Sequence, residues 1–431
     1  MKIRRDSYVK ELIDRKHNGM VKIITGIRRS GKSYLLFNLF YDYLISENVT
    51  QDHIIKIELD QLANIQYRNP FELDAYIRSK IEKTDSMCYV FIDEIQFVEN
   101  VENPYVKDGK LIGFYDVLNG LLGLPNVDLY VTGSNSKMLS KDVLTEFRGR
   151  GDEIHVHPLS FSEFMSVYSS DKFDGWLEYS TYGGLPAILA QNSESKKIAY
   201  LKNLFTETYI KDIIERNNVR NTEELEEVLN VLASAIGSLT NPTKLENTFK
   251  SEKNVNLSKN TIHNYLNYFE DSFLLHKVNR YDIKGRKYIN VQSKFYFSDM
   301  GLRNVRLNFR QQEENHIMEN IIYIELLRRH YIVDIGIVEV NERNEDKSYS
   351  KKQLEVDFIA NKGSQKYYIQ SALNLDSEQK IRQEKKSLLN IDDSFKKILI
   401  VKDYRKVSRD ESGIVIMSIY DFLLSENSLD L

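Results

Sequence analysis

The sequence predicts an α/β protein of several domains, and three observations carry that reading. A short β-branched run, "MVKIITG", passes through a glycine-containing loop into the helical spacing of "KSYLLFNLFYDYLISEN". An apolar run, "CYVFIDEIQ", ends in two carboxylates, and the last third alternates strand patterns with amphipathic helices. With 431 residues, 42% of them hydrophobic and 28% charged, the composition is that of a folded chain. A prior of roughly 100–200 residues per domain gives two to four domains.

Charge and cysteine content narrow the function classes. The formal net charge is −4, so no overall excess of Lys and Arg exists to bind a polyanion, and a nucleic-acid surface would have to be local. The single cysteine, Cys88, excludes an internal disulfide, lies within an apolar run and reads as a small core residue. The opening "MKIRRDSYVKELIDR" is charged and amphipathic without an apolar signal core, and no stretch reaches the roughly 18 continuous apolar residues of a membrane span. The expectation is a cytoplasmic protein without a membrane partner.

The loop itself reads Gly26, four residues, then Gly31-Lys32-Ser33. Glycines at both ends let successive N–H groups point at phosphate oxygens, and the helix that follows adds the positive end of its dipole. Lys32 is expected to face solvent without ligand and to reach the β and γ phosphates when nucleotide binds, while Ser33 binds Mg²⁺. Candidate ATP contacts are Gly26, Ile27, Arg28, Arg29, Ser30, Gly31, Lys32, Ser33 and Tyr34. At the end of "CYVFIDEIQ", which lies next to the glycine loop if the two strands are neighbours in a parallel sheet, Asp93 would hold the Mg²⁺ shell and Glu94 would polarise the attacking water as general base.

A third strand, in "VDLYVTGSNSKMLS", turns polar at Thr132, Ser134 and Asn135. Asn135 or Ser134 is the candidate reader of the γ-phosphate. Arg148 and Arg150 precede a strand that would close the sheet, where an arginine can act as a finger in cis or from a neighbouring copy. Residues 1–165 therefore read as a P-loop NTPase core with a parallel sheet of additional-strand type, an ATP hydrolase using ATP and Mg²⁺. Residues 166–220 read as a helical lid or connector.

"GIRRSGKSYLL", "YVFIDEIQ", "VTGSNSKMLS" and "GRGDEIHVHPLSFSEF" followed by "YGGLPAIL" form an ordered set. It resembles the AAA-type ATPases of bacteria and archaea that carry a C-terminal domain of unknown function numbered 4143. The resemblance runs along nearly the whole chain and implies an ATP-binding, Mg²⁺-dependent protein.

Residues 221–306 change to three short helices and a hairpin, the outline of a winged helix-turn-helix domain. "LSKNTIHNYLNYFED" starts with Ser258 as an N-cap and carries Ile262, Leu266 and Phe269 on one face. Lys259, Asn260, Thr261, His263 and Asn264 on that helix, with Lys284, Arg286 and Lys287 at the hairpin tip, are the candidate contacts to DNA. A packing module with solvated charges is the rival, and a protein client or a second copy of the chain are the other partners weighed.

Residues 307–431 resemble a restriction-endonuclease-like α/β core, in which a helix glutamate, a strand aspartate and a following Glu/Gln-x-Lys meet at a metal. Glu319, Asp357 and Gln370 fit, but Ala372 stands where the lysine belongs, so catalytic inactivity is expected, with any metal at Asp357 weakly held. "NERNEDKSYSKK", Asn341 to Lys352, reads as an exposed loop, and His155 and His157 read as ordinary strand residues rather than a zinc site. The expected function is an ATPase coupling nucleotide state to the winged-helix and C-terminal domains. An ATP-gated DNA-binding regulator or adaptor and an ATP-controlled nuclease are the alternatives.

Overall fold

Five strands of the first part of the chain pair side by side in parallel, the three central ones as apolar runs buried on both faces and the two edge ones mixed. They are β1 (Val21–Thr25), β2 (Ile54–Glu58), β3 (Cys88–Asp93), β4 (Val127–Thr132) and β5 (Gly151–His155). Their order across the sheet is β2-β3-β4-β1-β5, and every pairing is parallel. This corrects the placement of β3 beside β1, since β4 lies between them. The additional strand expected from the sequence occupies that position.

The computed structural model describes residues 3–106, 109–133, 149–253, 257–311, 313–343, 349–403 and 405–431. The chain divides into two compact units, residues 1–158 with 271–273, and residues 159–270 with 274–431. The boundaries expected at 220/221 and 306/307 both fall inside the second unit.

In the first unit each sheet face carries helices. One face packs α1 (Asp6–Asp14) and the helical residues 32–46, α2, through Tyr8, Leu12, Leu36, Phe40 and Leu44. The other packs α3 (Pro70–Ile81) and α4 (Phe114–Leu121) through Leu73, Ile77, Leu118 and Leu121. Burying each such side chain stabilises the layer by roughly 1.5–3 kcal/mol. Cys88 is buried in β3, as expected. Lys22, the second residue of β1, is also fully buried and pairs with Asp128 of β4, which Tyr130 Oη also reaches at 2.8 Å.

The second unit combines helices with an eight-stranded mixed sheet. Its helices include α5 (Lys172–Tyr182), α6 (Thr222–Ser234), α7 (Pro242–Thr248) and α8 (Lys259–Asp271). The expected hairpin is present as β6 (Leu275–Asp282) and β7 (Lys287–Phe297), paired from Leu275↔Phe297 to Asp282↔Lys287. Ser258 caps α8 by accepting the Thr261 N–H at 3.1 Å, and Ile262, Leu266 and Phe269 are buried. Thr240, between α6 and α7, bridges to Ser293 of β7.

The hairpin continues into the C-terminal sheet, because β6 pairs in parallel with β8 (Ile332–Arg343) at Arg280–Asp282. Beyond β8 come β9 (Tyr349–Lys362), β10 (Gln365–Ala372), β11 (Lys396–Val401), β13 (Val415–Ser418) and, at the far edge, β12 (Ser408–Arg409). Around this sheet lie α9 (Met300–Arg306), α10 (Glu314–Arg328) and α11 (Glu378–Leu389). The loop expected from Asn341 to Lys352 is corrected in part. The β8–β9 ladder runs out to Arg343↔Tyr349, supported by the ion pairs Lys351–Glu339 at 2.6 Å and Lys352–Glu342 at 3.0 Å in place of apolar contacts.

Candidate active site

Both sequence motifs of the first unit emerge at the C-terminal edge of its parallel sheet. Gly26 leaves β1 with φ 133°, and a Cβ there would collide with the Val156 carbonyl oxygen, so only glycine fits. Gly31, at φ 97°, turns the chain into α2. Ile27 is buried in the core and Tyr34 is exposed, so Ile27 would face nucleotide through its backbone alone. Arg28 is half-buried and Arg29 exposed.

Lys32 departs from expectation. It is buried rather than solvent-facing, because its Nζ donates to the carbonyl oxygens of Gly26 at 3.0 Å and Ile27 at 3.1 Å, inside the loop. Burial lowers its pKa to about 8, against the opposing pull of Glu94 and Asp93.

Ser33 Oγ donates to Asp93 Oδ1 at 2.9 Å, so the loop serine and the β3 carboxylate meet although their strands are not neighbours. Thr132, at the end of the intervening β4, donates to Asp93 and accepts the Glu94 backbone N–H at 3.0 Å. Burial raises the Asp93 pKa to about 6, and the hydrogen bonds from Thr132 and Ser33 limit the rise. Glu94 sits in the left-handed region at φ 53° and is half-buried, and its carboxylate accepts from the Gln96 side chain.

Glu58 and Asp60, at the end of β2, were not singled out from the sequence. Each offers a carboxylate oxygen, and these lie together with that of Asp93 within 4.8 Å of one another. A hydroxyl, a buried carboxylate and two exposed carboxylates form an all-oxygen donor set that suits a hydrated Mg²⁺. Ser30 Oγ is buried in the loop with no hydrogen-bond partner among the described residues.

The structure does not bring every candidate to this place. Ser134, Asn135 and Arg148 lie outside the described residues. Arg150 is exposed at the opposite edge of the sheet, where its carbonyl accepts the Val21 N–H at 2.9 Å. One five-residue strand, roughly 16 Å of rise, separates Arg150 from the loop of its own chain. His155 and His157 have ring centroids 4.6 Å apart, and neither belongs to a metal-type cluster among the described residues.

In the second unit, Lys259, Asn260, His263 and Asn264 are exposed on α8 and Thr261 is half-buried; Lys284, Arg286 and Lys287 are exposed at the hairpin tip. Lys284 Nζ lies 3.8 Å from Asp392.

The nuclease-like positions hold a cation that the sequence did not reveal. Lys294, from β7, is buried and places its Nζ 2.7 Å from Glu319 and 2.6 Å from Glu355. Ala372 stands two residues after Gln370, and an ammonium arrives instead from another strand. Lys362 and Lys366 are turned elsewhere, to the Arg329 carbonyl and the Phe395 ring. Burial would raise Glu319, but Lys294, His316 and Tyr296 outweigh it and lower its pKa to about 2. Asp357 accepts from the Ser371 N–H and Oγ, both at 2.7 Å, and burial with the nearby Glu319 charge raises its pKa to about 7. Gln370 Oε1 accepts the Asp357 N–H at 3.4 Å.

Sequence comparison finds an AAA domain matching residues 18–165 and a domain of unknown function, DUF8612, matching residues 174–313. A Haemophilus influenzae protein described as uncharacterized is 33% identical over 427 residues, 98% of each chain. A Methanocaldococcus jannaschii protein described likewise is 31% identical over 420 residues, 92% of this chain and 86% of its own. Among solved structures, Cdc6p from Pyrobaculum aerophilum aligns over 74% of this chain and 94% of its own, at 12% identity and TM-score 0.30. The Aeropyrum pernix ORC1 protein, solved in complex with DNA, aligns over 72% and 93%, at 11% identity and TM-score 0.28.

Proposed function

We propose that the first unit binds and hydrolyses Mg-ATP, from the premise that the chain belongs to the same family as the Haemophilus influenzae and Methanocaldococcus jannaschii proteins and carries an AAA domain, which makes it a nucleotide-binding, AAA-like ATPase. The observation that carries the proposal is the meeting of Ser33 and Asp93 at 2.9 Å, with Thr132 joining Asp93 to the backbone of Glu94. Lys32 exchanges its two loop carbonyls for phosphate oxygens, a stronger, charge-assisted pairing. Ser33 and Asp93 would hold Mg²⁺, which when bound would neutralise phosphate charge. Glu94 takes the proton of the attacking water. The arginine at the γ-phosphate comes from a second copy, as Arg150 stands at the far edge of its own sheet.

The test is Glu94→Gln, which keeps shape and loses basicity. ATP hydrolysis should fall by roughly 10²-fold or more while ATP binding persists. Equal turnover in Glu94→Gln and parent rejects the general-base role.

Nucleotide state is coupled in this reading to the second unit, acting on DNA or a protein client. The exposed basic and amide side chains of α8 and the hairpin tip support a DNA-facing surface, and the Thr240–Ser293 bridge fits the strand pairing of a winged helix. The restriction-endonuclease-like reading of the C-terminal sheet is kept as a binding scaffold. With Lys294 drawn between Glu319 and Glu355, little carboxylate charge is left over for a metal.

A further inference from the structure

A phosphate cradle is made of backbone N–H groups, and a trans peptide points its N–H opposite to its carbonyl. What holds the carbonyls of the loop therefore sets where its N–H groups aim. Lys32 holds the carbonyls of Gly26 and Ile27, and the Ile27 oxygen also accepts the Ser30 N–H at 3.2 Å. The Ser30 carbonyl is held from outside the loop. Arg5, the residue preceding α1, donates from Nη1 to that oxygen at 3.0 Å and from Nη2 to the His157 carbonyl, beyond β5, at 2.8 Å. Its guanidinium is buried and lies 4.5 Å over the Tyr8 ring, and the Tyr8 hydroxyl accepts the His157 N–H at 3.1 Å.

The peptide under this grip joins Ser30 to Gly31. Glycine rotates as readily to positive as to negative φ, so that plane has little intrinsic preference between flipped orientations. We propose that Arg5 is a positioning residue for phosphate binding: by fixing the Ser30–Gly31 peptide plane it aims the Gly31 N–H at the β-phosphate. The two-pronged donor is needed because one planar guanidinium ties the loop and the exit of β5 to the same helix. The inference rests on the nucleotide-binding reading above.

The experiment compares ADP, AMP and adenosine binding by calorimetry in the parent, Arg5→Ala and Arg5→Lys, with thermal melting as the check on folding. In the parent, ADP should bind more tightly than AMP. In Arg5→Ala, ADP affinity should fall about tenfold while AMP and adenosine are unchanged, the loss of one charge-assisted tie on the cradle. Arg5→Lys should recover part of the loss, since an ammonium reaches one carbonyl but cannot fork to both. An ADP-to-AMP ratio equal to the parent's in a folded Arg5→Ala overturns the proposal, and so does equal weakening of ADP and AMP, which would mark a structural role only. If Arg5→Ala does not fold, the same ratio in Arg5→Lys decides it. A parent that binds no ADP overturns the function reading and this inference together, and that result is visible before any substitution is made.

Discussion

At Lys32, burial and binding pull in opposite directions. The folded protein releases this proton at about pH 8, whereas an exposed lysine releases it near 10.5. Between those values the unfolded chain holds a proton that the folded one has lost, so this group adds stability as pH rises through the window. Phosphate binding needs the ammonium, so ADP affinity should fall as pH rises past 8, measured by calorimetry between pH 7 and 9.5. A flat profile would remove Lys32 from the phosphate site. Lys32→Ala should weaken nucleotide binding strongly at pH 7 and flatten the pH profile, with the fold retained. At Asp93, whose pKa is raised to about 6, ionisation costs the fold stability above that pH and supplies the charge that Mg²⁺ needs. Asp93→Asn should therefore melt at a higher temperature than the parent at pH 7 and lose its Mg²⁺ dependence of nucleotide binding. A lowered melting temperature would show that the Ser33 and Thr132 hydrogen bonds outweigh the desolvation.

The β1 element carries a charge that its apolar pattern does not announce. Lys22 is enclosed between β1 and β4 and is tolerated because Asp128 lies on the adjoining strand. Removing one partner leaves the other buried and uncompensated, so Lys22→Met should destabilise the protein by about 3–5 kcal/mol in urea unfolding. Replacing both, as Lys22→Met with Asp128→Asn, which keeps an acceptor for the Tyr130 hydroxyl, should recover most of that loss; if the double variant is no better than the single one, the pair is not the cause. The elements themselves were mostly legible. The loop and helix after β1, the carboxylates ending β3, the Ser258 cap and the hairpin at residues 275–297 each depend on residues close together in sequence. The long ladder out to Arg343 and Tyr349 was not legible, because its arms are held by cross-strand ion pairs rather than by an apolar face.

For the whole molecule, one measurement separates the proposed partners and a second tests for nuclease activity. ATP hydrolysis followed with and without duplex DNA over a salt series should show stimulation that fades with salt if α8 and the hairpin tip contact phosphates. Unchanged turnover would favour a protein client. The C-terminal sheet should leave duplex and single-stranded DNA uncut with Mg²⁺ or Mn²⁺, with or without ATP, on a denaturing gel. Cleavage in the parent that vanishes in Asp357→Ala would overturn the inactive reading and place Asp357 in a nuclease site.

The sequence by itself determined the glycine loop, its lysine and serine, the paired carboxylates of β3 and the α/β class, since each is a short-range pattern in which neighbours along the chain share one task. Tertiary structure alone decided which distant groups meet. It set β4 between β1 and β3, brought Thr132 to Asp93, placed Arg150 at the wrong edge for its own loop, seated Arg5 on Ser30 and carried Lys294 to Glu319. These contacts follow from strand order and helix docking, which depend on the burial of whole faces, and no local spacing encodes them.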